Sequence, residues 1–217
     1  MNRFWMLPAV LAFLTACADR PRVPDWQINA HSALQRYVQA ALTGDARVES
    51  VEFERARQAL ESTGQPGLVA RAELTRCAVR VASLDLEPCR GFEALRTDAP
   101  APERAYADYL AGRIAPPDVA LLPAQHRAVA TGQGDDAAGV KSIADPLSRL
   151  VAAGVLFRSG RASPEVLVLA GDTASAQGWR RPLLAWLGVQ AVRAEQAGAM
   201  EEAQRLRRRM ALAAGRP

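Results

Sequence analysis

Apolar residues recur at helical spacing along most of this 217-residue chain, in short runs that glycine and proline interrupt. The first run contains Ala33, Leu34, Tyr37 and Val38 and ends near Gly44. Spacing of this kind places apolar side chains on one face of an α-helix, and Gly and Pro mark where helices stop. Abundant alanine also favours helices. The sequence therefore predicts an all-α fold built of antiparallel helical hairpins.

The middle of the chain is less regular than its two ends. Pro88 suits the first turn of a short helix, and residues 121–131 are predicted as one helix. Pro146 lies either in the first turn of a helix or at a kink in a longer helix that begins near Asp136. The stretch 167–170 (LVLA) could pass for a strand, but no partner strand of similar quality accompanies it. Three helices are predicted to close the chain, over residues 164–177, 182–197 and 200–214.

Two stretches resemble helical repeats of the tetratricopeptide type. Residues 43–60 place Gly44, Phe53 and Ala56 at intervals similar to those of that family, and residues 186–210 place Gly198 at a turn between two helices. The resemblance implies a short solenoid of stacked hairpins. Ordinary antiparallel hairpins are the alternative.

The start of the chain has the layout of an export signal. A short basic start precedes the apolar run Phe4–Leu14, which is shorter than the roughly 20 residues of a membrane-spanning helix. The next residues, Leu14-Thr15-Ala16-Cys17, resemble the lipobox of bacterial lipoproteins. The resemblance implies cleavage before Cys17 and acylation of this cysteine, for example with palmitate. An ordinary secretory signal followed by an unmodified cysteine is the alternative.

This resemblance divides the chain into three parts: a signal peptide (1–16), a lipidated cysteine with a short tether (17–24) and a single helical domain (25–217). A cysteine that carries two or more acyl chains anchors a protein stably in a membrane. The tether reaches only about 25 Å when fully extended, so we expect the domain to stay near the lipid surface. The resemblance also implies a location in the bacterial cell envelope, facing the periplasm, and Ala18 favours the outer membrane.

Two further cysteines, Cys77 and Cys89, form a pair once Cys17 is acylated. An oxidising compartment favours a disulfide between them, worth about 3 kcal/mol for a loop of this length. Because Cys77 lies on the apolar stripe of a helix, two reduced cysteines in the core are the alternative. His31 and His126 are the two histidines, and neither has ligand-like spacing to a cysteine. We predict no metal site and no cofactor.

No catalytic constellation is recognisable in the sequence. Either histidine could act as a general base, but a solvated or partly buried side chain is the favoured interpretation. The acidic pairs Asp135-Asp136 and Glu201-Glu202 are typical of helix starts, where carboxylates complement the helix dipole. We assign no catalytic residue.

Arginines cluster near the end of the last predicted helix, and an aromatic residue stands beside two more. Basic residues there complement the helix dipole, and they also suit contact with anionic headgroups or an acidic partner. The net charge of +4 is mild, so we expect no nucleic-acid partner. The candidate interaction surface contains Trp179, Arg180, Arg181, Arg205, Arg207, Arg208 and Arg209.

Three functions fit these observations. The first is a membrane-anchored helical scaffold or adaptor that binds protein partners in the cell envelope. The second is an envelope enzyme that acts on cell-wall material through Asp and Glu, which requires two facing carboxylates in a cleft. The third is a helical binder of an apolar ligand, which requires a large apolar cavity.

Overall fold

The computed structural model describes residues 23–215, and their regular structure is entirely helical. No strand occurs within this range, so the predicted all-α fold is confirmed. Cys17 and the predicted signal peptide lie outside the described residues. The elements are α1 (Asp25–Thr43), α2 (Ala46–Glu61), α3 (Pro66–Ala82), α4 (Arg90–Glu93), α5 (Ala101–Leu110), a 3₁₀ helix (Pro116–Leu121), α6 (Ala124–Thr131), α7 (Asp136–Ser142), α8 (Pro146–Arg158), α9 (Pro164–Ala176), α10 (Arg180–Gln196) and α11 (Met200–Ala213).

The pairs α1–α2 and α10–α11 form the two terminal hairpins. Gly44 ends α1 with φ of 84°, a left-handed conformation that glycine adopts without strain, and Asp45 caps α2 by accepting a hydrogen bond from the Val48 amide. Leu187 of α10 and Leu206 of α11 are buried together in the second hairpin. These are the two stretches with repeat-like features, and their membership of a repeat family stays a prediction.

The main core lies where α3 packs against α8. A Cβ atom added at Gly154 of α8 would lie 2.3 Å from the Val81 carbonyl oxygen of α3, so these two backbones approach too closely for any side chain at that position. Trp186 of α10 is fully buried, and its indole N–H donates to the Ala82 carbonyl oxygen over 3.0 Å. The C-terminal helices are thereby fixed to the end of α3.

The irregular middle differs from the sequence prediction at three places. Residues 121–131 are two elements, because Pro123 follows Leu122 and holds it extended between the 3₁₀ helix and α6. Pro88 lies outside α4, whose N-cap is Cys89. Pro146 occupies the first turn of α8 and does not kink a longer helix.

The remaining element predictions hold with shifts of one or two residues. The stretch 167–170 lies within α9, which Ser163 caps through a hydrogen bond from the Val166 amide. Asp135 starts α7 by accepting hydrogen bonds from two backbone amides, as predicted. Helix α10 begins at Arg180, two residues earlier than expected. Among residues 23–215, no helix has both the length and the apolar character that crossing a bilayer requires.

Candidate functional site

A cleft of about 500 Å³ opens between α3, α5, the 3₁₀ helix and α8. We call it the α3–α8 cleft. Its size falls within the range of small-molecule pockets, roughly 300–1,000 Å³. Most of its surface is aliphatic, contributed by Leu74, Ala78, Leu121, Leu122, Leu147 and Val151.

Helical periodicity and the break at Pro123 build the apolar walls. Leu74 and Ala78 lie one turn apart on α3, and Leu147 and Val151 lie one turn apart on α8, so each pair faces the cleft from one side. The extended link before Pro123 adds Leu122 to the lining. The break between the 3₁₀ helix and α6 therefore supplies part of the cleft wall.

An ion pair between Arg71 and Glu103 lies at one edge of the cleft. Arg71 donates from Nε and Nη2 to Oε1 of Glu103, over 3.0 and 2.6 Å. The Glu103 side chain is 9% exposed, whereas that of Arg71 is 67% exposed. The Thr75 hydroxyl donates to the Arg71 carbonyl oxygen, and Ser148 adds a second hydroxyl group to the lining. The cleft therefore has an apolar interior and a polar edge.

An aromatic cluster supports Tyr106, which lines the cleft. The ring centroids of Tyr106 and Tyr109 both lie within 6 Å of the His126 ring, at 5.7 and 5.1 Å. The Tyr109 hydroxyl lies 3.2 Å from Nδ1 of His126 and can donate to it when that nitrogen carries no proton. His126 is 1% exposed, so the expectation of a solvated or partly buried histidine is wrong.

Burial keeps this cluster uncharged near neutral pH. It lowers the pKa of His126 to about 4 and raises the pKa values of Tyr106 and Tyr109. The charge of Asp145 adds to the rise for Tyr106 and opposes the fall for His126. The three rings behind the cleft are therefore uncharged near neutral pH.

The predicted disulfide partners Cys77 and Cys89 lie next to each other. Their sulfur atoms lie at disulfide distance, and their Cα atoms are 5.8 Å apart. This contact joins the middle of α3 to the residue that precedes α4. Cys77 is also buried in the core.

The first part of the candidate interaction surface lies beside the α1–α2 turn. Arg181 forms an ion pair with Glu49 over 2.7 Å, and the Arg180 guanidinium lies against Gly44. Trp179 is half-buried and packs on the core next to them. Because α1 has 19 residues and is about 28 Å long, these three residues lie far from the start of α1, which the predicted tether precedes.

The second part, on α11, is engaged with carboxylates of three helices. Arg205 pairs with Glu202 of the same helix, Arg207 contacts Glu195 of α10, and Arg209 lies 3.9 Å from Asp172 of α9. Arg208 is exposed. The predicted surface thus divides between two groups of arginines whose carboxylate partners lie on different helices.

The sequence did not single out the cleft. Leu74, Ala78, Leu147 and Val151 have the spacing of ordinary core residues, and the spacing does not distinguish a core from a cleft wall. The sequence signal that could have indicated the cleft is the presence of Pro102 and Pro123 in the stretch where the helices are shortest.

A second depression, of about 540 Å³, follows α10 and includes Leu184, Ala185, Val189 and Val192. Val192 is 51% exposed, so α10 carries apolar side chains on its outer face as well. We call this the α10 groove.

No group of three or more His, Cys, Asp or Glu side chains in the described part of the chain is arranged to hold a metal ion. No protein-family model, curated protein or solved structure matches the chain.

Proposed function

We propose that this protein is a lipid-anchored component of the bacterial cell envelope that binds an apolar ligand in the α3–α8 cleft. The observation that carries the proposal is the cleft itself, a space of about 500 Å³ whose lining is mostly aliphatic and whose charged pair, Arg71 and Glu103, lies at one edge. A surface of this kind exposes apolar area that a ligand would remove from water.

The expected binding energy is adequate for a specific ligand. Burial of apolar surface contributes about 25 cal/mol per Å², so a ligand that buries about 300 Å² in the cleft gains about 7 kcal/mol before the costs of association. The cluster of Tyr106, Tyr109 and His126 is uncharged. Ligand binding at this wall therefore does not require an ionised side chain to lose its hydration.

The cleft does not supply what the enzyme hypothesis requires. Of the described residues that line it, Glu103 is the single carboxylate, and an ion pair with Arg71 holds it at the edge. Acid–base hydrolysis by two facing carboxylates would need a second acidic side chain across the cleft.

The ligand-binding part of the proposal can be tested with N-phenylnaphthylamine, a neutral dye that fluoresces in apolar surroundings. The full chain should bind it saturably. Thr75→Trp places a bulky ring in the cleft and should weaken binding by about tenfold or more, equivalent to about 1.4 kcal/mol. Val168→Trp is the matched control, because Val168 is 50% exposed on α9, and this variant should bind like the unmodified protein. Equal binding by both variants would place the dye elsewhere and contradict the proposal.

The anchor is tested separately at Cys17. We expect the mature protein to fractionate with membranes and Cys17→Ser to remain in the aqueous fraction, because acyl chains supply the membrane affinity. Recovery of the unaltered protein in the aqueous fraction, with a free thiol at Cys17, would contradict the anchor.

A scaffold or adaptor function is the second candidate, and the α10 groove favours it. Apolar residues on the outer face of a helix suit contact with a partner helix. Trp179, Arg180 and Arg181 lie near the far end of α1, a position that favours an acidic protein partner over lipid headgroups beneath the tether. A photocrosslinker at Val192 in living cells should then capture one specific neighbour that a crosslinker at exposed Gln204 does not. Identical products from the two positions would contradict this function.

A further inference from the structure

The polar edge of the α3–α8 cleft lies near the end of the helices where the tether enters. The N-terminal parts of α1 and α3 and the last turn of α2 pack together there through Ala30, Leu60 and Val69. Arg71 is two residues beyond Val69 on α3. Helix α5 begins at the same end, since Pro100 lies against Gly67 near the start of α3. We call this end the tether end.

The tether end also exposes apolar side chains. Val23 is 54% exposed and Ile28 is 51% exposed, and Trp26 between them is half-buried. Tryptophan with aliphatic neighbours is typical of protein surfaces that meet the boundary between lipid and water. The tether is too short to carry this end far from an anchoring membrane.

The arrangement of the cleft matches one kind of amphipathic molecule. Its interior walls are aliphatic, which suits a hydrocarbon chain. At its edge, Arg71 uses two of its five N–H donors on Glu103, and the exposed guanidinium keeps donors for an anionic oxygen. An apolar chain with an anionic head would satisfy both regions at once.

We propose that the ligand of the cleft is the acyl chain of a lipid, with the chain between α3 and α8 and its anionic headgroup at Arg71. The inference rests on the proposed apolar-binding function and adds the ligand class, its orientation and its route from the lipid surface. The source is a lipid of the bilayer, because acyl chains attached at Cys17 would carry no anionic headgroup to bind Arg71, and the predicted tether holds the cleft near that bilayer. Cys17 is six residues from Val23, a reach of about 20 Å.

Displacement of bound N-phenylnaphthylamine tests the ligand class. Palmitoyl lysophosphatidylglycerol should displace the dye from the full chain, and glycerophosphoglycerol, the same headgroup without a chain, should not. Arg71→Gln combined with Glu103→Gln keeps a neutral hydrogen-bonded pair at the edge. It should reduce lysolipid affinity about tenfold more than dye affinity, through loss of a charge-assisted hydrogen bond. Arg71→Lys, which retains the charge, should recover part of that loss.

The outcomes separate this inference from the proposed function. Dye binding that lysolipid does not displace would overturn the acyl-chain inference and leave an apolar-binding cleft. Displacement that the double variant leaves unchanged would overturn the placement of the headgroup at Arg71. Absence of saturable dye binding to both the unmodified protein and Cys17→Ser would instead contradict the proposed function itself.

Comparison of the mature protein with Cys17→Ser identifies the source. Lipid extracted by organic solvent from purified Cys17→Ser would support the bilayer as the source. A Cys17→Ser protein that binds the dye without carrying lipid, together with a lipidated protein that excludes the dye, would place the protein's own acyl chain in the cleft and overturn the inference. If neither form carries extractable lipid and both bind the dye equally, transfer of an acyl chain from the membrane is overturned.

Discussion

The terminal hairpins and the middle of the chain achieve stability in different ways. The hairpin helices have 19, 16, 17 and 14 residues, whereas α4 to α8 have between 4 and 13. Long helices bury a continuous stripe against a sequence neighbour. The short ones depend on contacts between residues far apart in the chain, such as Gly154 with Val81. The comparison teaches that the cleft arises where short elements, α5 and the 3₁₀ helix, lie beside the longer helices α3 and α8.

Two buried glutamates show the same contrast. Glu52 in the first hairpin pairs with Arg36 and Arg55, whose side chains are 54% and 62% exposed. Glu73 of α3 is 1% exposed, pairs with Arg57 and Arg76, and leaves no room for a side chain at Gly91, where a Cβ atom would lie 2.1 Å from its Oε2. Its surroundings are therefore much less tolerant of change.

The largest difference in stability between the two regions should appear when the same substitution, glycine to alanine, is made in each. Gly154→Ala should destabilise the protein by about 3 kcal/mol or more, because α3 and α8 must separate to accept the methyl group. Gly188→Ala in α10 should stabilise it by about 0.5 kcal/mol, since its Cβ meets only the end of Met210 at 3.7 Å and alanine favours helix. Urea denaturation measures both. A similar small effect at the two sites would contradict the close approach of α3 and α8.

Removal of the Cys77–Cys89 link should come next in size. Replacing both cysteines with alanine should lower the free energy of unfolding by about 3 kcal/mol, because the link closes a short loop in the unfolded chain. Reduction of the unmodified protein by dithiothreitol should produce a similar loss and no further loss in the double variant. Equal stability of oxidised, reduced and double-variant proteins would show that the link contributes nothing.

The buried histidine should make the middle of the chain sensitive to acid. Because folding lowers the pKa of His126 from 6.5 to about 4, the unfolded chain takes up the proton first as the pH falls. The corresponding stability is present above about pH 6.5 and decreases toward pH 4, by about 2 kcal/mol between pH 7 and pH 5.

Denaturation at several pH values measures this slope in the unmodified protein and in two variants. His126→Gln should lose it, whatever its stability at pH 7. The control His31→Gln changes an exposed residue and should keep it. A slope that His126→Gln retains would assign the acid sensitivity to other groups.

The smallest expected contrast concerns the two glutamates. Glu73→Gln should cost about 1 kcal/mol more than Glu52→Gln, because Glu73 is the more buried and both substitutions leave partly exposed arginines that water can solvate. Thermal unfolding of the two variants measures the difference. A greater loss for Glu52→Gln would reverse the proposed order of the two regions.

Local sequence signals predicted the hairpins well because their causes are local. Gly44 marks the end of α1, Ser163 followed by Pro164 marks the start of α9, and the apolar periodicity identifies the buried faces between such signals. The sequence alone was sufficient for the all-α class.

The candidate site was less accessible to prediction because its causes are not local. Periodicity alone could not show that α3 and α8 leave space between Leu74 and Val151. The burial of His126 depends on Tyr109, which is 17 residues away. The arginines of the C-terminal stretch stand out in the sequence, yet the structure places carboxylates beside most of them.

Native mass spectrometry of the protein purified from its own membranes tests the central claim most directly. The account predicts a noncovalent apolar ligand bound to the unmodified protein and to Val168→Trp, and its loss from Thr75→Trp, in which the cleft is blocked. The same ligand on all three proteins, or no ligand on any of them, would contradict the assignment of the α3–α8 cleft as the binding site.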